Sequence, residues 1–397
     1  MLIVLLAASC LIGSVSSIVA LVLTLMMVPV LFQRQARDLV AKQPAMVLLL
    51  AAFTALLLLF AVTQRRPMDM LFAANFISLP LASVVYVLAR HRAGRRSVIL
   101  VVALCLAGAA VGAAVGMYDV YVRALPRASG FFGGPNLMPR IAVTLGAISL
   151  AGTLLVRGPW RAVFLAGPVL AAIATFFSGS RGAAIAIPPM ALVAAAFLLA
   201  HRPTRRLFVA ASAGAVLVGA VYLLASSNLN VERFTGIGTV IAEVLQSGQA
   251  GGDSATNERL AMYNVGLEAF QRAPWIGYGW ANLGNAAAET DPAFAHVAGT
   301  FFIYHNDFLD FAVAGGVVGV LCWLAILAAP LVGALLAPRD QFFAARLYCC
   351  VQLSLIYLVF GLTDLTLGYD LPTTLYAFLT AIVLGAFREA PPPLHRP

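Results

Sequence analysis

Charge is what this chain has least of. Only 10% of its 397 residues are Asp, Glu, Lys or Arg, and lysine occurs once, at Lys42. Soluble globular domains carry roughly a quarter of their residues as charged groups. The shortage excludes a water-soluble fold of this size and makes the solvent a bilayer; a mean hydropathy of +0.94 agrees. Cysteine is scarce too. Cys10, Cys105, Cys322, Cys349 and Cys350 all lie in apolar runs and form no C-x-x-C pair. That excludes a zinc site and a disulfide framework. No basic residue precedes the first apolar run, and many runs follow it. The expectation is a retained membrane segment rather than a cleaved signal peptide.

What is present is a succession of apolar runs long enough to cross about 30 Å of hydrocarbon. Backbone polar groups in lipid must pair within their own segment, so the runs are helices. Spans are expected at 45–63, 68–89, 97–116, 138–156, 161–178, 182–200, 207–226, 313–336, 342–362 and 371–387. Residues 2–32 are too long for one upright helix and are interrupted at Gly13-Ser14. Two short helices there give twelve spans; one long tilted helix gives eleven. The fold class is an all-α polytopic membrane protein of about 12 transmembrane helices. Its parts are an N-terminal helical set (1–226), a large outer loop (227–300) and a C-terminal set with a tail (301–397).

The net charge of +9 is mostly arginine, which in a membrane protein signals topology before nucleic acid. Loops 33–44, 90–96, 157–161, 201–206 and 338–346, with the C-terminal tail, hold 16 of the 25 basic residues and three acids. The opposite side holds 9 basic and 13 acidic residues. The first side is therefore cytoplasmic, with both termini on it, and loop 227–300 lies outside. Arg65 and Arg66 are exceptions to that scheme.

The outer loop carries two helical patterns. One runs over Ile237, Val240, Ile241, Val244 and Leu245; the other over Leu260, Tyr263, Leu267 and Phe270. Both suit helices lying on the membrane surface, and "SGQAGGDSAT" between them reads as a flexible linker.

Polar residues on the outer side gather at span ends. Arg181, in "SGSRGAAIA", is the only charge between residues 162 and 201. An arginine flanked by small residues suits a phosphate, which its planar fork meets with two hydrogen bonds; a snorkelling arginine is the plainer alternative. Arg259 lies on the second surface helix. "PWIGYGWANLG" is a Gly-rich turn in which Gly277 and Gly279 would let backbone approach a ligand. It lacks the preceding strand of a dinucleotide or phosphate-binding loop. Asn306 is placed to cap a helix with Asp307 and Asp310 in its first turn. His305 then precedes the helix and is a candidate general base. Asp364 and Asp370 flank the last span, where either can orient a histidine, bind a sugar hydroxyl or simply be solvated. The outer side has no D-x-D or H-E-x-x-H motif, so no metal and no cofactor are expected.

These pieces stand in an order that resembles the superfamily of O-antigen ligases, O-antigen polymerases and protein O-oligosaccharyltransferases. The resemblance covers roughly residues 130–385. It rests on "NERLAMYNVGLEAF", "APWIGYGWANLG" and "YHNDFLDFAVAGGVVGVL", with "GGPNLMPR" and "SGSRG" upstream. Length and layout are most similar to the O-antigen ligases. The resemblance implies essential arginines at Arg181 and Arg259 and an essential histidine at His305. It further implies substrate contacts at Asn136, Arg140, Tyr304, Asn306, Gly277, Gly279 and Asp364. It implies a donor glycan on undecaprenyl diphosphate, a lipid A–core acceptor, and an active site facing the periplasm from the cell inner membrane. Membrane lipids are expected partners and nucleic acid is not. Two arginines would stabilise the leaving diphosphate without a metal, and a single displacement would invert the sugar carbon. A polymerase or protein oligosaccharyltransferase shares the same parts. A transporter would instead place its polar groups at mid-membrane.

Overall fold

The computed structural model describes residues 1, 3–131, 134–201, 240, 243, 244, 246, 247 and 249–389. The described chain is helical, as an apolar backbone in lipid must be. Eight helices are long and apolar enough to cross a membrane: Pro44–Thr63, Pro67–His91, Arg95–Tyr121, Leu137–Leu155, Pro159–Ser178, Arg181–His201, Asp307–Leu335 and Phe343–Thr363. Ser14–Leu25 and Asp370–Ala386 are shorter apolar helices. The arrangement is that of a polytopic membrane protein. The expected span at 207–226 lies outside the described residues, as do Ile237, Ile241 and Leu245 of the first surface pattern.

The N-terminal run is neither one tilted helix nor two full spans. A π-turn (Ile3–Ala7) leads into α1 (Ser9–Ile12), and Gly13, at φ 51°, reverses the chain into α2 (Ser14–Leu25). The Thr24 hydroxyl sits 3.2 Å from the Met1 sulfur, so the two arms lie side by side. Twelve residues of helix extend about 18 Å, short of the hydrocarbon thickness. After α3 (Arg34–Ala41) come α4 (Pro44–Thr63), α5 (Ser78–His91) and α6 (Arg95–Tyr121). Then follow α7 (Leu137–Ser149), α8 (Gly152–Leu155), α9 (Ala166–Ser178) and α10 (Arg181–His201). Beyond the outer loop, which holds α11 (Ser254–Arg272) and α12 (Leu283–Thr290), run α13 (Asp307–Leu335), α14 (Phe343–Thr363) and α15 (Asp370–Ala386). α7 and α15 are the most enclosed: nearly every residue along them is buried.

Three features set up the site. α11 is capped by the Asp253 side chain, which accepts from Thr256 N at 3.1 Å. Its buried row is Val265, Gly266 and Ala269, while Leu267 is exposed. The apolar row expected to face lipid is thus displaced, because α11 packs on α12 and α13 rather than lying on lipid alone.

The second feature is a break in α13 at Gly316, φ 60°. The turn 274–279 plugs that break: Tyr278 N and Gly279 N donate to the carbonyls of Val313 and Ala314, and Val317 N donates to that of Pro274. A Cβ at Gly277 would lie 2.4 Å from the Val313 oxygen, and one at Gly316 would lie 2.3 Å from the Trp275 carbonyl carbon. The glycines expected to approach a ligand approach a broken helix instead.

The third is that Arg65, an exception to the charge asymmetry, faces Glu289 of the outer loop at 3.3 Å. It lies at the same end of the molecule as α12.

Candidate functional site

The polar residues singled out at separate span ends converge at one end of the bundle. His305 is followed by the Asn306 cap, whose side-chain oxygen accepts from Leu309 N at 3.4 Å while its amide donates to the Leu362 carbonyl at 3.3 Å. His305 itself has φ 55°, a left-handed conformation that a side chain adopts only at some cost. Two contacts hold it there. The Tyr263 hydroxyl of α11 donates to the His305 carbonyl at 3.2 Å, and His305 Nδ1 lies 2.5 Å from Asp364 Oδ1. Burial in turn raises the Tyr263 phenol pKa.

Asp364, just past the end of α14, is buried and fully engaged. Oδ1 also accepts from Leu365 N at 3.0 Å. Oδ2 accepts from Arg140 Nη2 at 2.9 Å and from Asn136 Nδ2 at 3.2 Å. Burial alone would raise its pKa, but the His305 hydrogen bond and the Arg140 charge hold the carboxyl well below the usual range. An ionised carboxylate only accepts hydrogen bonds, so His305 Nδ1 carries the hydrogen of this contact, and in the neutral ring the lone pair is on Nε2.

The segment that carries Asp364 is clamped from the other side. Asp307, buried in the first turn of α13, accepts from Thr366 N at 2.6 Å and Leu367 N at 3.1 Å. A Cβ at Gly361 would come within 2.5 Å of its Oδ2, so α14 approaches α13 more closely than any larger residue permits. Asp310 accepts from Tyr304 N at 2.7 Å. These acids look from the sequence like helix-dipole partners; their main task is to fix the two strands of chain beside the histidine.

Next to this pair lies a cavity of about 200 Å³ lined by four arginines, Arg127, Arg140, Arg181 and Arg259, together with Asn136 and Thr363. Arg181 opens α10 and pairs with Asp253, the cap of α11. That pairing outweighs the opposing effect of burial and lowers the Asp253 pKa. Arg127 donates from Nε to the Ser178 carbonyl at 2.7 Å and from Nη2 to Asn136 Oδ1 at 3.1 Å. Arg259 is half-buried and, among the described residues, meets no carboxylate. It stands one turn before Tyr263 on α11, and its charge helps hold Asp364 ionised.

Of the sequence-derived candidates, Arg181, Arg259, Arg140 and Asn136 share this cavity, and Asp364 links it to His305. Tyr304 does not reach it: the ring is buried and its hydroxyl donates to the Leu283 carbonyl at 3.3 Å. Gly277 and Gly279 sit in the α13 break. Asp370 lies elsewhere and accepts from Ser14 and Ser17 of α2 at 3.1 and 2.7 Å. Sequence reasoning missed Arg127 and Asp253. The signals for them were a basic residue on the acidic side of the membrane and an Asp-x-x-Thr cap at the end of an apparent linker.

A family model described as O-Antigen ligase matches residues 166–324. That stretch runs from α9 into α13 and takes in Arg181, Arg259 and His305. No curated protein matches the chain.

Proposed function

We propose that this chain, whose residues 166–324 match a family model described as O-Antigen ligase, moves O-antigen glycan from undecaprenyl diphosphate to the lipid A–core glycolipid. The family comprises O-antigen ligases and related polymerases, membrane enzymes that resemble glycosyltransferases and use lipid-linked glycans. The observation that carries the reading is the arginine-lined cavity joined through Asp364 to His305. Arg181, Arg259 and Arg127 bind the diphosphate, and Arg259 brings a charge that, among the described residues, is in no ion pair with a carboxylate. The acceptor hydroxyl attacks the anomeric carbon, and the carbon–oxygen bond to phosphate breaks. The electron pair leaves with the diphosphate, where the guanidinium groups stabilise it. The hydroxyl proton passes to His305 Nε2. One displacement inverts the sugar carbon. The polyprenyl chain stays in lipid beside the spans, at the periplasmic face of the inner membrane.

All of these groups lie at one end of the bundle: the starts of α7, α10 and α13 and the end of α14. That placement favours interfacial chemistry over transport. The test is reconstitution of purified protein with lipid-linked glycan and lipid A–core. Ligation supports the proposal. Chain extension onto a second lipid-linked glycan would make the protein a polymerase, and transport without transfer would refute both.

A further inference from the structure

Arg140 reads from the sequence as a substrate contact, yet its hydrogen bonds run into the protein. Nη1 donates to the Leu365 carbonyl and to Thr366 Oγ1, each at 3.2 Å, and Nη2 donates to Asp364 Oδ2. The side chain is only 6% exposed, and the guanidinium lies 5.6 Å from the centre of the Phe360 ring. Both terminal nitrogens are therefore committed to the segment that carries Asp364. We infer that Arg140 is a positioning residue, which sets the aim and proton affinity of His305 through Asp364 and does not touch the glycan or the diphosphate. The inference rests on the transferase reading above and assigns Arg140 a different task from the cavity's other arginines.

Several groups face the Asp364 carboxylate. They are His305, Arg140 from α7, Arg259 and Tyr263 from α11, Asp307 and Asp310 from α13, and Tyr369 ahead of α15. Among the described residues, Arg140 is the one permanent cation in hydrogen-bond contact with it. When His305 takes up the acceptor's proton, the new imidazolium shares the carboxylate with Arg140. Neutralising Arg140 gives the imidazolium the whole carboxylate charge and stabilises it. The neutral, proton-accepting histidine then prevails only at higher pH. The same change frees the Asp364 segment and loosens the aim of the ring, which lowers turnover without weakening donor binding.

The experiment is the pH profile of initial transfer rate for wild type, Arg140→Gln and Arg140→Lys in proteoliposomes, with KM for the lipid-linked donor. In Arg140→Gln the acid limb should move up by about one pH unit, the low end for removing a charge in contact. Its kcat should fall about tenfold, a barrier change of about 1.4 kcal/mol, with donor KM nearly unchanged. Arg140→Lys keeps the charge, so its acid limb should stay in place. Its kcat should still drop, because a point charge cannot span Asp364, Leu365 and Thr366 at once. An unmoved acid limb in Arg140→Gln overturns the inference, and so does a raised donor KM at wild-type kcat. If neither variant inserts and elutes as wild type does, Arg140 is a folding residue and the inference also fails. A wild-type protein that transfers no lipid-linked glycan would overturn the functional reading itself.

Discussion

Asp364→Asn is the sharpest perturbation of this site, because the carboxylate serves two sides at once. Oδ1 holds His305 Nδ1 and Leu365 N, while Oδ2 holds Arg140 and Asn136. An amide offers one accepting oxygen and one NH₂ group. If the oxygen faces His305, the NH₂ points at the donors of Arg140 and Asn136. If the oxygen faces Arg140, the NH₂ points at His305 and forces the hydrogen onto Nε2, the atom that must accept the acceptor's proton. Both arrangements fail. Correct general-base placement is worth about 10²–10⁴-fold, so transfer should fall by that factor, a barrier increase of about 3–5 kcal/mol. The fold suffers as well, because removing one partner of a buried ion pair costs roughly 3–5 kcal/mol. The pH sign follows from the depressed pKa of Asp364. A carboxyl held below its unfolded value of about 4 stabilises the fold above that pH. The contribution is lost only as pH falls towards the folded value. Between about pH 5 and 8, well above that value, Asp364 stays ionised. The assay is initial transfer rate at matched protein, with donor binding and thermal unfolding in detergent measured separately. A wild-type rate in Asp364→Asn would refute the His305–Asp364 assignment. So would a rate loss fully explained by lost donor binding.

Three further outcomes are expected. Arg259→Ala and Arg181→Ala should each reduce transfer at least about 100-fold, in line with loss of a transition-state charge donor. Lysine should rescue poorly at either position for want of the bidentate fork, and full activity of the lysine variants would show that charge alone suffices. Gly316→Val should lower thermal stability by about 2–4 kcal/mol, from left-handed strain and overpacking against Trp275; an unchanged unfolding temperature would mean that the turn 274–279 is not wedged there. Transfer should persist in excess EDTA because arginines supply the stabilising charge, and loss that Mg²⁺ or Mn²⁺ restores would contradict this.

The sequence made the spans legible and left their meeting points hidden. Hydropathy located eight of the ten spans expected outside the first run, because lipid fixes the length and polarity of a crossing helix; the one expected at 371–387 is a shorter apolar helix. The cap at Asn306 was also legible, since capping depends on residues three apart. Contacts between elements far apart in sequence left weaker signs. Asp364 offered sugar binding, histidine orientation or solvation with equal ease, and only its 2.5 Å approach to His305 selects one. Tyr263 belonged to an apolar row, yet its hydroxyl holds the His305 carbonyl. Gly277 and Gly279 announced a close backbone approach without saying to what.

The same logic explains why one kind of residue carries several tasks here. Arginines near a membrane surface all look alike by composition, and four of them line one cavity. Their partners tell them apart. Arg140 is spent on the Asp364 segment and Arg181 shares its charge with Asp253. Arg259 is in no ion pair with a carboxylate among the described residues, so under the proposed mechanism an arriving diphosphate would find there a charge it need not compete for. At Arg181 it must displace or share Asp253, whose side chain caps the helix carrying Arg259. Donor binding would therefore pull on α11 at its cap while Tyr263, ten residues along, still holds His305. In the proposed mechanism the phosphate subsite and the proton acceptor are tied to the same helix, which would make seating the donor and aiming the histidine one mechanical event.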